Sequence, residues 1–399
     1  MNGQQKFKIE NGKSTTHLKH AETSSLRIET TDFDHHGIVG LRLINATPGD
    51  IAIVTRQLGY IQKPLSRAPD IVIRFVDQLT FSSPVRYLGV DDVGFTDDAF
   101  LVFRGKQKAR VKAQIPFDQI GNGQCQIVCE SGLPAVPLLM PILNLTVLSK
   151  GALPLHASAF NYNGKGILIT GWAKGGKTEM LLAYSAQGAE YVGDEWVYIS
   201  EDGQCMYGIP EPIRIWYWHL QEMPQYKAKV NRSDLVRLQT LNTFVNFLDW
   251  LDGGGSRHRS APFRLIRRIN ALVRQQLYVQ LPPGKLFERT ANDLAGSPKK
   301  VFFVGSHAHP DLTIQPVDPQ EIAGRMVFSL QEEIKDFMSY YLKFRFAFPE
   351  RSNSFIDRAE EVQRRILSEV LAGKDAYAIY HPYPVSIPAL FEVSHPYCS

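Results

Sequence analysis

Long apolar runs are missing from this chain of 399 residues: nowhere do about 18 consecutive residues stay apolar, the length that a membrane-spanning helix requires. No membrane partner is therefore expected. Cysteine is scarce as well. The four present, Cys125, Cys129, Cys205 and Cys398, are too few for a disulfide scaffold and include no CxxC pair to anchor a structural zinc. Cys125 and Cys129 sit in a segment that reads as strand, with no histidine or second cysteine pair nearby to complete a metal shell. Residues 1–25 read as a polar, disordered lead without the apolar centre of a signal peptide, so a reducing, cytoplasmic setting is expected. Charge of one sign is not in excess either: a net charge of +4 gives no general reason to invoke nucleic acid. What remains is an ordinary globular composition, 44% hydrophobic and 21% charged, in a chain longer than one hydrophobic core usually supports. Two or three domains are expected.

Residues 26–136 carry short β-type runs at 37–44, 70–76 and 99–103, separated by Pro, Gly and Asp, which predicts a mainly β N-terminal module. His35-His36 and the pairs Asp91-Asp92 and Asp97-Asp98 read as solvated loop residues. The uncharged run 137–148 predicts a buried helix leading into a core spanning 137–319. Residues 196–199 and 204–207, flanking Glu201-Asp202-Gly203, predict a β-hairpin, so the core should mix parallel and antiparallel strands. Helical periodicity over 320–348 places Ile322, Met326, Leu330, Ile334 and Phe337 on one face, and over 355–372 it aligns Ala359, Val362, Ile366 and Val370. These form a C-terminal helical cap over 320–399, whose proline-rich stretch 380–388 is expected to wrap over the surface.

The chemistry concentrates in the middle. Gly171-Trp-Ala-Lys-Gly-Gly-Lys-Thr178 satisfies G-x-x-x-x-G-K-[ST] and lies between an apolar strand, 166–170, and a helix expected over 178–187 and stopped by Gly188. Gly171, Gly175 and Gly176 let successive amides, that of Lys174 included, face one concavity, and the helix start adds positive charge: a nest for a polyphosphate. Lys177 supplies a point charge to the β and γ phosphates, and the Thr178 hydroxyl is a ligand for Mg²⁺. The chain then returns to Asp194-Glu195 at the carboxyl end of the sheet. Asp194 is placed to accept a hydroxyl proton and Glu195 to hold the metal; the alternative is a solvated turn opening the strand at Trp196. His156, read at the end of a proline-containing turn, is either a donor to a phosphate oxygen or a structural histidine. Arg214 is the cation chosen to stabilise the transferring phosphoryl group.

The ordered set His156, Gly166-Ile-Leu-Ile-Thr-Gly-Trp-Ala-Lys-Gly-Gly-Lys-Thr-Glu179 and Gly193-Asp194-Glu195 resembles the catalytic domain of HPr kinase/phosphorylase and the wider HPr-kinase-like group, over roughly residues 150–215. Glu179 belongs to the likeness, since that family also carries Glu after its Ser/Thr. The resemblance implies an α/β fold with a mixed-sheet P-loop kinase core related to phosphoenolpyruvate carboxykinase. It further implies ATP and Mg²⁺ bound by Lys177 and Thr178, Asp194 as base and His156 near the transferred phosphate. This chain has Asp194-Glu195 where the family has Asp-Asp, and it lacks the segment Glu-Ile-Arg-Gly-Leu-Gly. Its β-type N-terminal region and the ending Ile379-Tyr-His-Pro-Tyr-Pro-Val385 are more similar to divergent members, some of which resemble kinases of free serine or of a peptide's serine. The expected partner is a hydroxyl-bearing acceptor, whether protein, peptide or small molecule, with a homo-oligomer left open. A non-catalytic ATP sensor is the other function that such a loop serves.

Residues 253–287 contain no Asp or Glu, while Arg257, Arg259, Arg264, Arg267, Arg268, Arg274 and Lys285 make the segment basic. From Phe263 onward Leu265, Ile269 and Leu272 lie opposite the arginines, which predicts an amphipathic surface helix; recognition of an acidic or phosphorylated acceptor is the alternative. No aromatic stacking pattern accompanies the arginines, which argues against nucleic acid. The glycines at 253–255 are expected to form a hinge that lets the segment move as a lid.

Overall fold

The computed structural model describes residues 29–80, 83–87, 93–104, 110–252 and 261–398. The lead over 1–25, the Asp91-Asp92 pair and the glycine hinge at 253–256 lie outside the described residues. The chain folds as a mixed α/β structure around two large sheets.

The first sheet holds eight strands. Thr30–His35, Val39–Ile44, Ile71–Val76 and Cys125–Glu130 lie side by side, the last three mutually parallel, and an antiparallel meander returns from Arg110–Ile115 to Arg86–Tyr87. The three β-type runs of the sequence all fall in this sheet. An unforeseen helix, Pro48–Leu58, joins two of its parallel strands; Thr47 and Asp50 cap its start reciprocally, and proline occupies its first turn.

His35 does not lie in a solvated loop. It ends a strand and is fully buried, with neither ring nitrogen hydrogen-bonded, and burial pushes its pKa down to about 3. His36 Nε2 donates to the Gly208 carbonyl at 2.7 Å, tying this sheet to the second. Asp97 and Asp98 are exposed as expected. Cys125 and Cys129 are buried and their thiols are pushed up to about 12, which leaves them inert.

The second sheet is built on the long strand Leu153–Tyr162, antiparallel to Lys165–Gly171 on one side and to Trp196–Ile199 and Glu190–Gly193 on the other. Lys165–Gly171 runs parallel to Pro298–Ser306, and that strand parallel to Asp375–His381, so three parallel strands end together beside the glycine loop. Both faces are covered, which explains why these strands are apolar almost throughout. Leu155, Ala157, Leu168 and Val301 face a core shared with the first sheet, the buried helix Leu139–Ser149 and the C-terminal helices. Phe160, Ile167, Ile169 and Val304 face a second core with helices Lys177–Ser185 and Ile387–Ser394.

The C-terminal helices run Pro319–Glu333, Lys335–Ala347 and Ala359–Leu371, and their foreseen apolar faces are buried apart from half-buried Val362. The tail departs from expectation in part: of the stretch 380–388, Tyr380 and His381 end the interior strand Asp375–His381 and Ile387 opens helix Ile387–Ser394, whereas Tyr383, Pro384 and Ser386 between them are exposed.

Candidate functional site

The strand Lys165–Gly171 delivers the chain into the loop with little room to spare. Gly171 has φ 151°, and a β-carbon there would lie 2.2 Å from the Val304 carbonyl oxygen; at Gly176, φ 109°, it would meet His381 Nε2 at 2.4 Å. The same His381 nitrogen binds the Gly175 carbonyl at 2.8 Å, so the tail strand braces the back of the loop. Gly176 opens helix Lys177–Ser185, whose first turn carries Lys177, Thr178 and Glu179.

Lys177 is buried, and its ammonium folds onto the loop's own carbonyls, 3.0 Å from Trp172 and 3.3 Å from Gly171. Burial lowers its pKa against the opposing pull of Glu195 and Asp194. The buried Glu179 carboxylate accepts from His219 Nε2 at 3.0 Å, while the Trp216 amide donates to His219 Nδ1 at 3.3 Å. That second bond fixes the tautomer that donates to Glu179. Burial raises the Glu179 pKa, and His219 more than offsets it, so the net shift is downward.

Opposite the loop, the strand Glu190–Gly193 breaks register against Leu153–Tyr162, and Glu195 takes a left-handed φ of 66° before pairing resumes at Trp196. Non-glycine residues held in that region cluster where the surrounding structure over-determines them, often at functional sites. The irregularity turns both carboxylates toward the loop. Asp194 is buried; one carboxylate oxygen accepts from the Ser158 hydroxyl and the other from Thr178 Oγ1 at 3.0 Å. Burial, reinforced by the charge of Glu195, pushes its pKa up to about 7. Asp194 therefore does not open a solvated turn.

His156 is not at the end of a turn either. It lies within the strand Leu153–Tyr162, with Nε2 3.1 Å from Glu195 Oε2 and Nδ1 2.7 Å from Glu333 Oε1. Burial pulls its pKa down, but the two carboxylates outweigh that and the net shift is upward. Nε2 is thus hydrogen-bonded to a carboxylate, whereas Nδ1 meets Glu333 as a charge contact outside hydrogen-bond geometry. Glu195 is held low, first by His156. Arg214, exposed on the two-stranded ribbon of Ile213–Trp216 and Tyr278–Leu281, lies 4.7 Å from the centre of the Tyr278 ring.

These groups surround one cavity of about 620 Å³, whose lining includes His156, Lys174, Lys177, Thr178, Asp194, Glu195 and Arg214. Gly176 and Glu179 also border it, whereas Gly171 and Gly175 shape the turn behind. Aromatic side chains, Trp216, Tyr217, Trp218 and Tyr383, form much of the remaining wall. The basic segment reaches it through Arg274 alone among the described arginines of 253–287.

Sequence reasoning missed Ser158, Glu333 and Glu211. Ser158 had a signal, since in a strand it shares the face of His156 two residues earlier. Glu333 had none, because it arrives from the end of a distant helix. Glu211 has one buried carboxylate oxygen without a partner, and burial followed by the charges of Glu195 and Asp194 pushes its pKa up to about 8.

No group of three or more His, Cys, Asp or Glu among the described residues is placed to hold a metal ion by itself. No protein-family model matches the chain, and no curated protein matches it either.

Proposed function

We propose that this protein is an ATP-dependent phosphotransferase with a P-loop kinase core of the HPr kinase type, moving the γ-phosphoryl group to a serine-type hydroxyl of a protein, peptide or small molecule. The observation that carries this reading is the 3.0 Å contact between Thr178 and Asp194, which puts a carboxylate at the mouth of a phosphate-type loop inside one cavity.

In this mechanism Asp194 takes the proton of the acceptor hydroxyl. A carboxyl raised to about 7 matches that task, being basic enough to accept a proton yet still ionised in part near neutral pH. The acceptor oxygen forms its bond to the γ phosphorus as the bond from that phosphorus to the β–γ bridging oxygen breaks, leaving the electron pair on the diphosphate. Lys177 and the loop amides hold the phosphates, and Arg214 stands across the cavity to offset charge on the moving group. Mg²⁺, when bound, supplies neutralisation of the β and γ oxygens. His156 acts here by holding Glu195 on the wall of the same cavity.

Labelled ATP offered with free serine, serine-containing peptides and HPr tests the proposal. Transfer to at least one acceptor is expected, and Asp194→Asn should reduce it about 10²–10⁴-fold while nucleotide binding persists. Binding by the wild type without transfer to any of these would favour the sensor function instead.

A further inference from the structure

Helix Ala261–Arg274 is turned the opposite way from the expectation for an amphipathic surface helix. Its aliphatic stripe, Leu265, Ile269 and Leu272, faces outward with exposures of 58%, 37% and 64%. Its contact with helix Arg232–Leu251 is instead partly polar: Arg267 Nε sits 3.0 Å from both Asp252 oxygens, Asn270 Nδ2 donates to Asp249 at 2.6 Å, and Arg274 pairs with Asp249. Arg264 and Arg268 border the stripe, are exposed, and make no ion pair among the described residues. The neighbouring helix also exposes Val236, Phe244, Phe247 and Trp250, the last at 74%, on its side away from Asp249. An exposed aliphatic stripe edged by unpaired cations marks a contact site.

We propose that this helical arm docks on the surface of an anionic lipid bilayer, with helix Ala261–Arg274 lying in the interface. Aliphatic side chains at the centre of the stripe and guanidinium groups at its edge follow the layering of such a surface, where hydrocarbon lies under phosphates. Arginine stems can rest on the hydrocarbon while their heads reach the phosphates. No acidic residue occurs in 253–287 to oppose that charge. A protein partner would need carboxylates at fixed points, whereas lipids supply mobile phosphates. None of the described helices is long and apolar enough to cross a membrane, so the attachment is in the plane. The expectation of no membrane partner rested on the lack of a spanning segment, which does not bear on a helix lying flat. Asn242 and Arg274, on the inward side of the arm, also line the cavity.

Sedimentation of the full chain with sucrose-loaded vesicles tests this without reference to catalysis. Binding is expected to vesicles containing phosphatidylglycerol and to be at least about tenfold weaker for phosphatidylcholine alone. Leu265→Glu with Leu272→Glu, and separately Arg264→Glu with Arg268→Glu, should each lower the bound fraction about tenfold at matched lipid. Unfolding midpoints should stay at the wild-type value, because all four side chains are exposed. Wild type that remains in the supernatant with anionic vesicles at low salt, or variants that sediment like wild type, would overturn the proposal. So would self-association in ultracentrifugation that the leucine variant abolishes while lipid binding is absent, since the stripe would then belong to a second copy.

Discussion

Gly176 shows how narrowly single residues define the loop. With φ 109° and only 2.4 Å between a new β-carbon and His381 Nε2, Gly176→Ala should cost about 1–3 kcal/mol, read as a lower midpoint in urea. A midpoint equal to wild type would mean that His381 does not brace the loop. His35 makes a second prediction, of pH dependence. The unfolded chain takes up a proton near pH 6.5, but the buried ring resists it until about 3. The unfolded state therefore binds more protons between those values, and stability falls as pH drops through 6.5, by about 1.4 kcal/mol per unit for this group. His35→Leu should remove that component, so the stability difference between variant and wild type should shift toward the variant from pH 7 to pH 5. An unchanged difference would show that the ring protonates freely in the folded state. At this scale the loop was legible because its fixed positions are consecutive and its geometry is local. His156 and Asp194 were legible as positions but not as partners: Ser158 and Glu333 reach them through strand pairing and helix packing.

Among the elements, the short helix Ser354–Asp357 shows how a connection carries stability. Asn353 caps it, its carboxamide oxygen accepting from Phe355 and Ile356 at 2.9 and 3.1 Å, while its amide donates to the Phe117 and Ile120 carbonyls, both at 2.7 Å. One side chain thus joins the C-terminal helices to the first sheet. Asn353→Ala leaves two buried carbonyls without that donor and should cost about 2–4 kcal/mol in denaturant unfolding. A loss under about 0.5 kcal/mol would mean that water replaces it. Strands and helices with clear periodicity were readable, as at Ile71–Val76, Leu139–Ser149 and Pro319–Glu333. Two elements were not. The proline-rich tail looks like surface chain because proline excludes helix, yet the residues just before those prolines form an interior strand. Helix Ala261–Arg274 has the pattern of a surface helix, but periodicity states which residues share a face and not which face turns inward; ion pairs to Asp249 and Asp252 decide that.

The molecule as a whole is joined more closely than the expected boundaries near residues 136 and 320 suggest. One hydrophobic core contains Phe33 and Ile73 of the first sheet, Leu155 and Leu168 of the second, and Ile322 and Ile366 of the C-terminal helices. Calorimetry should accordingly show a single transition with equal van't Hoff and calorimetric enthalpies, whereas two separated transitions would mean that the N-terminal sheet folds independently. The mixed α/β class was legible from the alternation of apolar runs with glycine and proline. The shared core was not, because packing between distant segments leaves no periodic trace. That packing carries the tail strand and Glu333 to a loop that the sequence displays openly. The central claim is that this loop holds the phosphates of ATP, with Asp194 at their far end. Calorimetric titration with ATP and Mg²⁺ tests it most directly: wild type and Asp194→Asn should bind with similar affinity, and Lys177→Ala should bind about tenfold or more weakly. Wild type that takes up no ATP, or Lys177→Ala that binds as wild type does, would contradict it.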